Sequence, residues 1–154
     1  LVHGNAGVGM CDHRDTMTRL ARELGWKRGV ELGVGSGQLH ARLIKLGIKM
    51  IGVDIGSRLD RKKKVSELGS TIYWMTTREA SLYVSDGWAD FVFVDASHSY
   101  EAVKDDIAQW ERKVKTGGWF GGHDYHVRFP GVIRAVKEAF PKIELLPGWI
   151  WVRG

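Results

Sequence analysis

Short apolar segments alternate with amphipathic segments along this chain. The apolar runs predict strands at 29–32, 49–53, 71–75, 91–94, 119–122, 143–146 and 149–152. The run from Phe91 to Val94 is apolar on both faces, which is typical of a central strand in a parallel sheet. Strands that alternate with helices in this way indicate an α/β sheet wound by crossover helices.

Helices are predicted where apolar residues recur three or four positions apart. These segments are 16–24 with Asp15 as its N-cap, 38–46 ended by Gly47, a basic stretch at 58–68, 100–114 ended by Gly117 and Gly118, and 132–140. Only Pro147 and Gly148 separate the last two strands, too few residues for a parallel crossover, so these strands form an antiparallel hairpin. The predicted fold class is therefore a Rossmann-like, doubly wound, seven-stranded α/β sheet, mostly parallel, with a C-terminal antiparallel hairpin strand.

The length of 154 residues, without repeats or linkers, predicts one domain over 13–154, preceded by a flexible, Gly-rich segment at 1–12. No run of about 20 apolar residues occurs, so no membrane partner is expected. The first residues carry no export signal, and Cys11 is the single cysteine of the chain. Both features favour a cytoplasmic location.

The net charge of +5 raises the prospect of an anionic partner such as nucleic acid. The densest basic cluster, at 58–64, is interpreted as the solvated face of a helix. Aromatic residues do not interleave with it, as a stacking platform for bases would require, so nucleic acid is not the expected partner. The seven Trp residues are compatible with a homodimer, although most of them are expected in the core.

A Gly-rich turn, Glu31-Leu32-Gly33-Val34-Gly35-Ser36-Gly37, follows the first predicted strand. Glycines let the backbone turn sharply and approach a ligand closely. Asp54 ends the second strand, where a carboxylate can accept hydrogen bonds from both ribose hydroxyls of an adenosine. Gln38 stands where a dinucleotide fingerprint requires its third glycine, so the turn is less suited to a pyrophosphate.

These residues resemble a known family. The E-L-G-V-G-S-G turn and the V-D pair at 53–54 are similar to the nucleotide-binding half of class I S-adenosylmethionine-dependent methyltransferases. Two further blocks, D-A-S-H-S-Y at 95–100 and G-G-H-D-Y at 121–125, resemble the small-molecule O-methyltransferases of the macrocin and cephalosporin-biosynthesis type. The resemblance covers residues 13–152, nearly the whole chain.

The resemblance implies a site for S-adenosylmethionine. In that site Glu31, Gly33 and Gly35 would surround the methionine part of the cofactor. Asp54 would hold the ribose hydroxyls, and Ile55 would pack near the adenine. The full predicted cofactor-binding set is Glu31, Gly33, Gly35, Gly37, Asp54, Ile55, Thr76, Thr77, Arg78 and Asp95, with Thr76, Thr77 and Arg78 at the adenine edge.

Acids and histidines follow the fourth and fifth predicted strands. Because adjacent carboxyl ends of parallel strands open onto one crevice, Asp95, His98, His123 and Asp124 are expected to converge. In one interpretation Asp95, His123 and Asp124 hold a divalent metal, Mg²⁺ or Mn²⁺, that lowers the pKa of an acceptor hydroxyl. A histidine ligand favours the softer ion. In the other interpretation a histidine is the general base, with His98 the first candidate and His123 the second.

The predicted function is a methyltransferase that O-methylates a small hydroxylated acceptor at these strand ends. Acceptor contacts are expected from Tyr100, Tyr125 and His126, while 13–15 either folds over the cofactor or caps the first helix. Two alternatives stay open. One is a nucleic-acid or protein methyltransferase, suggested by the charge. The other is a cofactor-binding module without catalysis, or a nicotinamide oxidoreductase.

Overall fold

The computed structural model describes residues 12–56, 67 and 69–154. The predicted basic helix at 58–68, apart from Glu67, and the predicted flexible segment at 1–12, apart from Asp12, lie outside these residues. In chain order the elements are α1 (His13–Glu23), β1 (Arg28–Leu32), α2 (Gln38–Lys45), β2 (Lys49–Asp54), β3 (Thr71–Trp74), α3 (Thr77–Ala80), β4 (Ala89–Val94), α4 (Tyr100–Trp110), β5 (Val114–Gly122), α5 (Pro130–Ala139), β6 (Ile143–Leu146) and β7 (Ile150–Arg153).

The described strands form one seven-stranded sheet in the order β3-β2-β1-β4-β5-β7-β6. The first five strands pair in parallel, whereas β7 is antiparallel to both β5 and β6. This arrangement confirms the predicted Rossmann-like sheet with its C-terminal hairpin. The carboxyl ends of β1, β2, β3, β4 and β5 therefore meet along one edge.

Alternate residues of the central strands supply two hydrophobic layers, one on each face of the sheet. Val92 and Val94 of β4 pack in the layer that contains α4 and α5. Phe91 and Phe93 of the same strand pack in the layer that contains α1 and α2. A side-chain period of two thus explains why β4 reads as apolar on both faces.

Two predicted boundaries are wrong for identifiable reasons. The first helix begins at His13, because the Asp12 carboxylate, and not Asp15, accepts a hydrogen bond from the Arg14 backbone N–H (3.0 Å) and caps it. The long helix ends at Trp110, followed by a 3-10 turn over Glu111–Lys113.

Gly117 and Gly118 do not end that helix, because both lie inside β5. The register of β5 against β4 shifts between Ala89 and Phe91, and Gly117 there adopts a φ of +74°. A Cβ on Gly118 would lie 2.5 Å from Val114 Cγ1, so close packing requires this glycine. The glycines therefore mark an irregularity within a strand.

Two smaller elements also differ from the prediction. The short helix α3 was not predicted, and it begins at a capping box in which Thr76 and Glu79 bond reciprocally. Trp149 lies in the turn before β7 and is 42% exposed, whereas Trp151 is fully buried. In the part of the chain that the structure describes, no helix has the length and apolar character to span a membrane.

Candidate active site

A cavity of about 400 Å³ opens at the carboxyl ends of β1, β2, β3 and β4. At one end it is bordered by Gly33, Gly35 and Asp95, and at the other by Ile55, Thr76 and Thr77, with Asp54 between them. Seven of the ten predicted cofactor residues, Asp95 among them, thus line a single pocket. Glu31, Gly37 and Arg78, which were also predicted, are not among the lining residues.

The Gly-rich turn fits tightly against the end of β4. Gly33 has a φ of +83°, and a Cβ there would lie 2.1 Å from the Asp95 carbonyl oxygen. Gly35 also has a positive φ, and its N–H donates to Asp54 Oδ2 (2.9 Å). The other oxygen of Asp54 accepts from the Gly56 N–H (2.8 Å). Two backbone donors therefore hold the Asp54 carboxylate at the middle of the cavity.

Behind the turn lies a buried polar chain. Glu31 Oε2 is 2.9 Å from His40 Nδ1, and His40 Nε2 is 2.8 Å from the Ser70 hydroxyl. Both Glu31 and His40 are shielded from solvent. Burial raises the pKa of Glu31, and the hydrogen bond to His40 opposes that rise. Glu31 thus braces the start of α2 against the sheet.

The predicted adenine edge divides into two parts. Thr76 and Thr77 face the cavity at the start of α3. Arg78 points away from it, since its guanidinium Nε donates to Asp105 Oδ2 (3.1 Å) on the surface. The side chain of Arg78 is 67% exposed.

A second group of side chains gathers at the ends of β4 and β5. His98 Nε2 lies 2.6 Å from Asp124 Oδ2. His123 Nδ1 lies 3.1 Å from Asp124 Oδ1 and 3.4 Å from Asp95 Oδ1. The four residues that were predicted to converge therefore form one hydrogen-bonded cluster, here called the Asp-His cluster: Asp95, His98, His123 and Asp124.

The electrostatics of the Asp-His cluster favour a charged His123. Burial opposes the positive charge, but hydrogen bonds to Asp124 and Asp95 outweigh it and raise the pKa of His123 to about 9. Burial likewise opposes ionisation of Asp124, but the bonds and charges of His123 and His98 lower its pKa. At neutral pH His123 is thus an imidazolium between two carboxylates.

The Asp-His cluster is continuous with an aromatic wall. The His13 ring, from the first turn of α1, lies 4.2 Å from the His123 ring. The His126 ring stacks on Trp149, also at 4.2 Å. Asp124 and Trp149 both have positive φ values, of 61° and 58°. Non-Gly residues in that region carry strain and are enriched at functional sites.

Comparison with known proteins identifies the family. A profile of the methyltransferase domain matches residues 10–125, which is well over half of the chain. The chain belongs to the class I S-adenosylmethionine-dependent methyltransferases. No curated protein sequence matches this methyltransferase.

Solved structures share the fold of the methyltransferase at low sequence identity. CalS11, a TDP-rhamnose 3'-O-methyltransferase of calicheamicin biosynthesis, is similar with a TM-score of 0.72 and 15% identity over 92% of this chain and 76% of its own. The methyltransferase PaMTH1 of Podospora anserina, solved with S-adenosylhomocysteine, gives 0.71 and 14% over 92% and 77%. MycE of the mycinamycin pathway, solved with Mg and S-adenosylhomocysteine, gives 0.63 and 19% over 92% and 48%.

The Asp-His cluster of this methyltransferase offers a set of metal donors. One ligand atom each from Asp95, His98 and Asp124 lies within 4.8 Å of the others. The predicted set had His123 in place of His98. In the structure His123 Nδ1 also faces both carboxylates, at 3.1 Å from Asp124 Oδ1 and 3.4 Å from Asp95 Oδ1. Two carboxylate oxygens and one imidazole nitrogen fit Mn²⁺ better than Mg²⁺.

Sequence reasoning missed two residues of this region, His40 and Asp106. His40 holds Glu31, and Asp106 of α4 lines the cavity although it is only 2% exposed. His13, which was expected to fold over the cofactor or to cap the first helix, instead has its ring tilted against the ring of His123. The signal for Asp106 was its position three residues after Val103 and one before Ile107, on the apolar stripe of the helix.

Proposed function

We propose that this enzyme transfers the methyl group of S-adenosylmethionine to an oxygen of a small hydroxylated acceptor. The observation that carries the proposal is the junction of two sites. Asp95 and Ser97 line both the large cavity and the small crevice that contains His98, His123 and Asp124. An acid–base cluster thus adjoins one end of a pocket suited to an adenosyl cofactor.

Within the large cavity the proposed binding roles follow the side chains along its length. The carboxylate of Asp54 keeps unused lone pairs after it accepts from Gly35 and Gly56, and these are available to the ribose hydroxyls. Gly33 and Gly35 leave room for the methionine part. Ile55, 72% exposed at the rim, offers an apolar face to the adenine.

His98 is the proposed general base. Its side chain is 46% exposed, so an acceptor can reach it, and Asp124 orients the ring through the 2.6 Å contact. Because the raised pKa of His123 keeps that residue protonated, it is a poor base and instead stabilises negative charge beside the acceptor oxygen. His98 would take the acceptor O–H proton at Nδ1, the ring nitrogen that does not face Asp124, as the acceptor oxygen bonds to the methyl carbon. S-adenosylmethionine would supply that methyl group from its sulfonium and would leave as the neutral thioether.

A divalent metal is the alternative way to activate the acceptor. Asp95, His98 and Asp124 would hold it, and the metal would supply a Lewis acid that lowers the pKa of the acceptor hydroxyl. As a base, His98 would donate its Nε2–H to Asp124 and take the proton at Nδ1, whereas as a ligand it would bind the ion through a ring nitrogen and activity would depend on that ion. Activity that is unchanged by a chelator supports the base, whereas activity restored by Mn²⁺ after chelation supports the metal.

Two observations support a small hydroxylated acceptor, one from a similar solved structure and one from the site itself. CalS11 is named for methylation of a sugar hydroxyl. In the present chain the aromatic wall of His13, His126 and Trp149 lies beside the Asp-His cluster, and such rings can pack against the apolar face of a ring-shaped acceptor.

The test combines cofactor binding with methyl transfer. Calorimetry with S-adenosylhomocysteine should show binding to the natural chain and a loss of about tenfold or more in Asp54→Ala, while Glu144→Ala, an exposed change on the edge strand β6, leaves it unchanged. A panel of hydroxylated sugars and phenols with methyl-labelled cofactor then identifies the acceptor class. Cofactor binding without transfer to any oxygen would refute O-methylation and support a binding module.

A further inference from the structure

Asp106 is a buried carboxyl that the proposed transfer reaction does not use. It lies on α4, lines the large cavity and is 2% exposed. Ala102, one helical turn earlier, lines the same wall. The hydroxyl of Thr77, at the end of the cavity away from Gly33, donates to the Asp106 carboxylate. Asp106 therefore stands at the end proposed to hold the adenine.

Among the described residues, none of the neighbours that act on the Asp106 carboxyl carries a positive charge. Two neighbours act on the Asp106 carboxyl electrostatically, Thr77 from the start of α3 and Asp105 from its own helix. Arg78, which follows Thr77 on α3, pairs with Asp105 and not with Asp106. Burial, aided by the negative charge of Asp105, raises the pKa of Asp106 to about 6.

A buried acid without a cationic partner costs stability, and such groups concentrate at binding and catalytic sites. A carboxylate has about four acceptor positions, of which Thr77 uses one. Because Asp106 lines the cavity, an acceptor position that Thr77 leaves unused is available to a ligand there. A ligand group that fits this position must be a hydrogen-bond donor.

We propose that Asp106 accepts a hydrogen bond from the exocyclic 6-amino group of adenine and thereby selects an adenine cofactor. The inference rests on the proposed cofactor site. At the adenine end the amine is the donor that complements a carboxylate, whereas Asp54 serves the ribose at the middle of the cavity. Ala102 leaves this wall free of a bulky side chain beside Asp106.

A structural role predicts a different behaviour. If Asp106 only braced Thr77 and the start of α3, its replacement would weaken all ligands of the cavity equally. If it recognises the amine, its replacement removes the preference for ligands that carry the amine. The decisive quantity is therefore a ratio of two dissociation constants.

The experiment measures the binding of S-adenosylhomocysteine and of its 6-desamino analogue, in which hydrogen replaces the amine, by calorimetry at pH 8. The natural chain should prefer S-adenosylhomocysteine roughly tenfold to a hundredfold, as expected for one charge-assisted hydrogen bond. In Asp106→Asn the preference should fall severalfold, because a neutral amide oxygen is a weaker acceptor. In Asp106→Ala it should fall to about one.

Asp105→Asn is the matched control, since it removes an adjacent carboxylate that points to Arg78, and it should leave the ratio unchanged. If Asp106→Ala does not fold, Asp106→Asn alone decides. A preference that is unchanged in Asp106→Asn, or absent in the natural chain, overturns the role of Asp106 while the cofactor site stands. Failure of the natural chain to bind S-adenosylhomocysteine at all would instead refute the proposed function.

Discussion

Replacement of Asp106 by Asn should stabilise the protein without cofactor. The pKa of Asp106 rises from 3.8 to about 6 on folding, so its ionised form is the one that the native state disfavours. The contribution of Asp106 to the free energy of unfolding is therefore fully present below about pH 4 and is lost as the pH rises through about 6. A shift of about two units corresponds to about 3 kcal/mol at pH 8, because each unit is about 1.36 kcal/mol.

Asn avoids this cost because it stays neutral, but its weaker hydrogen bond with the Thr77 hydroxyl lowers the stability by about 1 kcal/mol. The expected net gain is about 2 kcal/mol, or roughly 4–8 °C in Tm for a chain of this size. The assay is thermal unfolding of Asp106→Asn and the natural chain from pH 4 to pH 8. Asp106→Asn should be less stable by about 1 kcal/mol at pH 4, where only its weaker bond to Thr77 counts, and more stable by about 2 kcal/mol at pH 8, whereas Asp105→Asn should stay within about 1 kcal/mol throughout. A gain that does not grow with pH would refute the reasoning.

Three further predictions concern the turn and the Asp-His cluster. His40→Ala should cost about 3 kcal/mol in urea unfolding, because it leaves the buried Glu31 carboxyl without its partner; an unchanged midpoint would contradict this. Gly33→Ala should cost more than Gly35→Ala, since among the described residues a Cβ at Gly35 meets no atom within 4 Å while one at Gly33 overlaps the end of β4; equal Tm losses would contradict it. His98→Asn should lower kcat at least 100-fold but leave calorimetric affinity for S-adenosylhomocysteine within about threefold; parallel losses in both would argue for a structural role.

Much of the fold could be predicted because the central strands are buried on both faces. The stretch from Phe91 to Val94 needs apolar residues at every position, which leaves a signal that no amphipathic helix imitates. The two residues Pro147 and Gly148 permit only an antiparallel hairpin. Because the first five strands are parallel, the turns that follow them lie along the same edge of the sheet, and the candidate site residues in those turns lie there together.

The element ends were harder to predict because tertiary contacts decide them. The start of α1 depends on which of two nearby acids reaches a free N–H, and Asp12 does so. Gly117 and Gly118 resemble a helix stop in sequence. Their actual cause is the register shift of β5 against β4, which local sequence does not reveal.

The convergence of Asp95, His98, His123 and Asp124 was predictable from topology, but the pairing within the cluster was not. Which histidine bonds to which carboxylate depends on ring orientations fixed by packing, such as the stacking of His98 on Phe129 at 4.4 Å. The structure thereby distinguishes His98 from His123, which the sequence alone presents as two candidates for the base. His123 lies between two acids, and His98 stays accessible.

The position of Asp106 shows what a hydrophobic pattern can reveal when one position departs from it. Val103, Ile107 and Trp110 define a buried stripe on α4, and the helical period places Asp106 on that same stripe. A carboxyl at such a position costs stability at neutral pH, so selection for folding alone would replace it with an apolar or neutral residue. Asp105, one residue away, reaches the surface and pairs with Arg78. The contrast between the two neighbouring acids argues that Asp106 is retained because it binds the cofactor. Asp106→Asn tests this argument directly, because the same variant should gain stability without cofactor and lose preference for ligands that carry the 6-amino group.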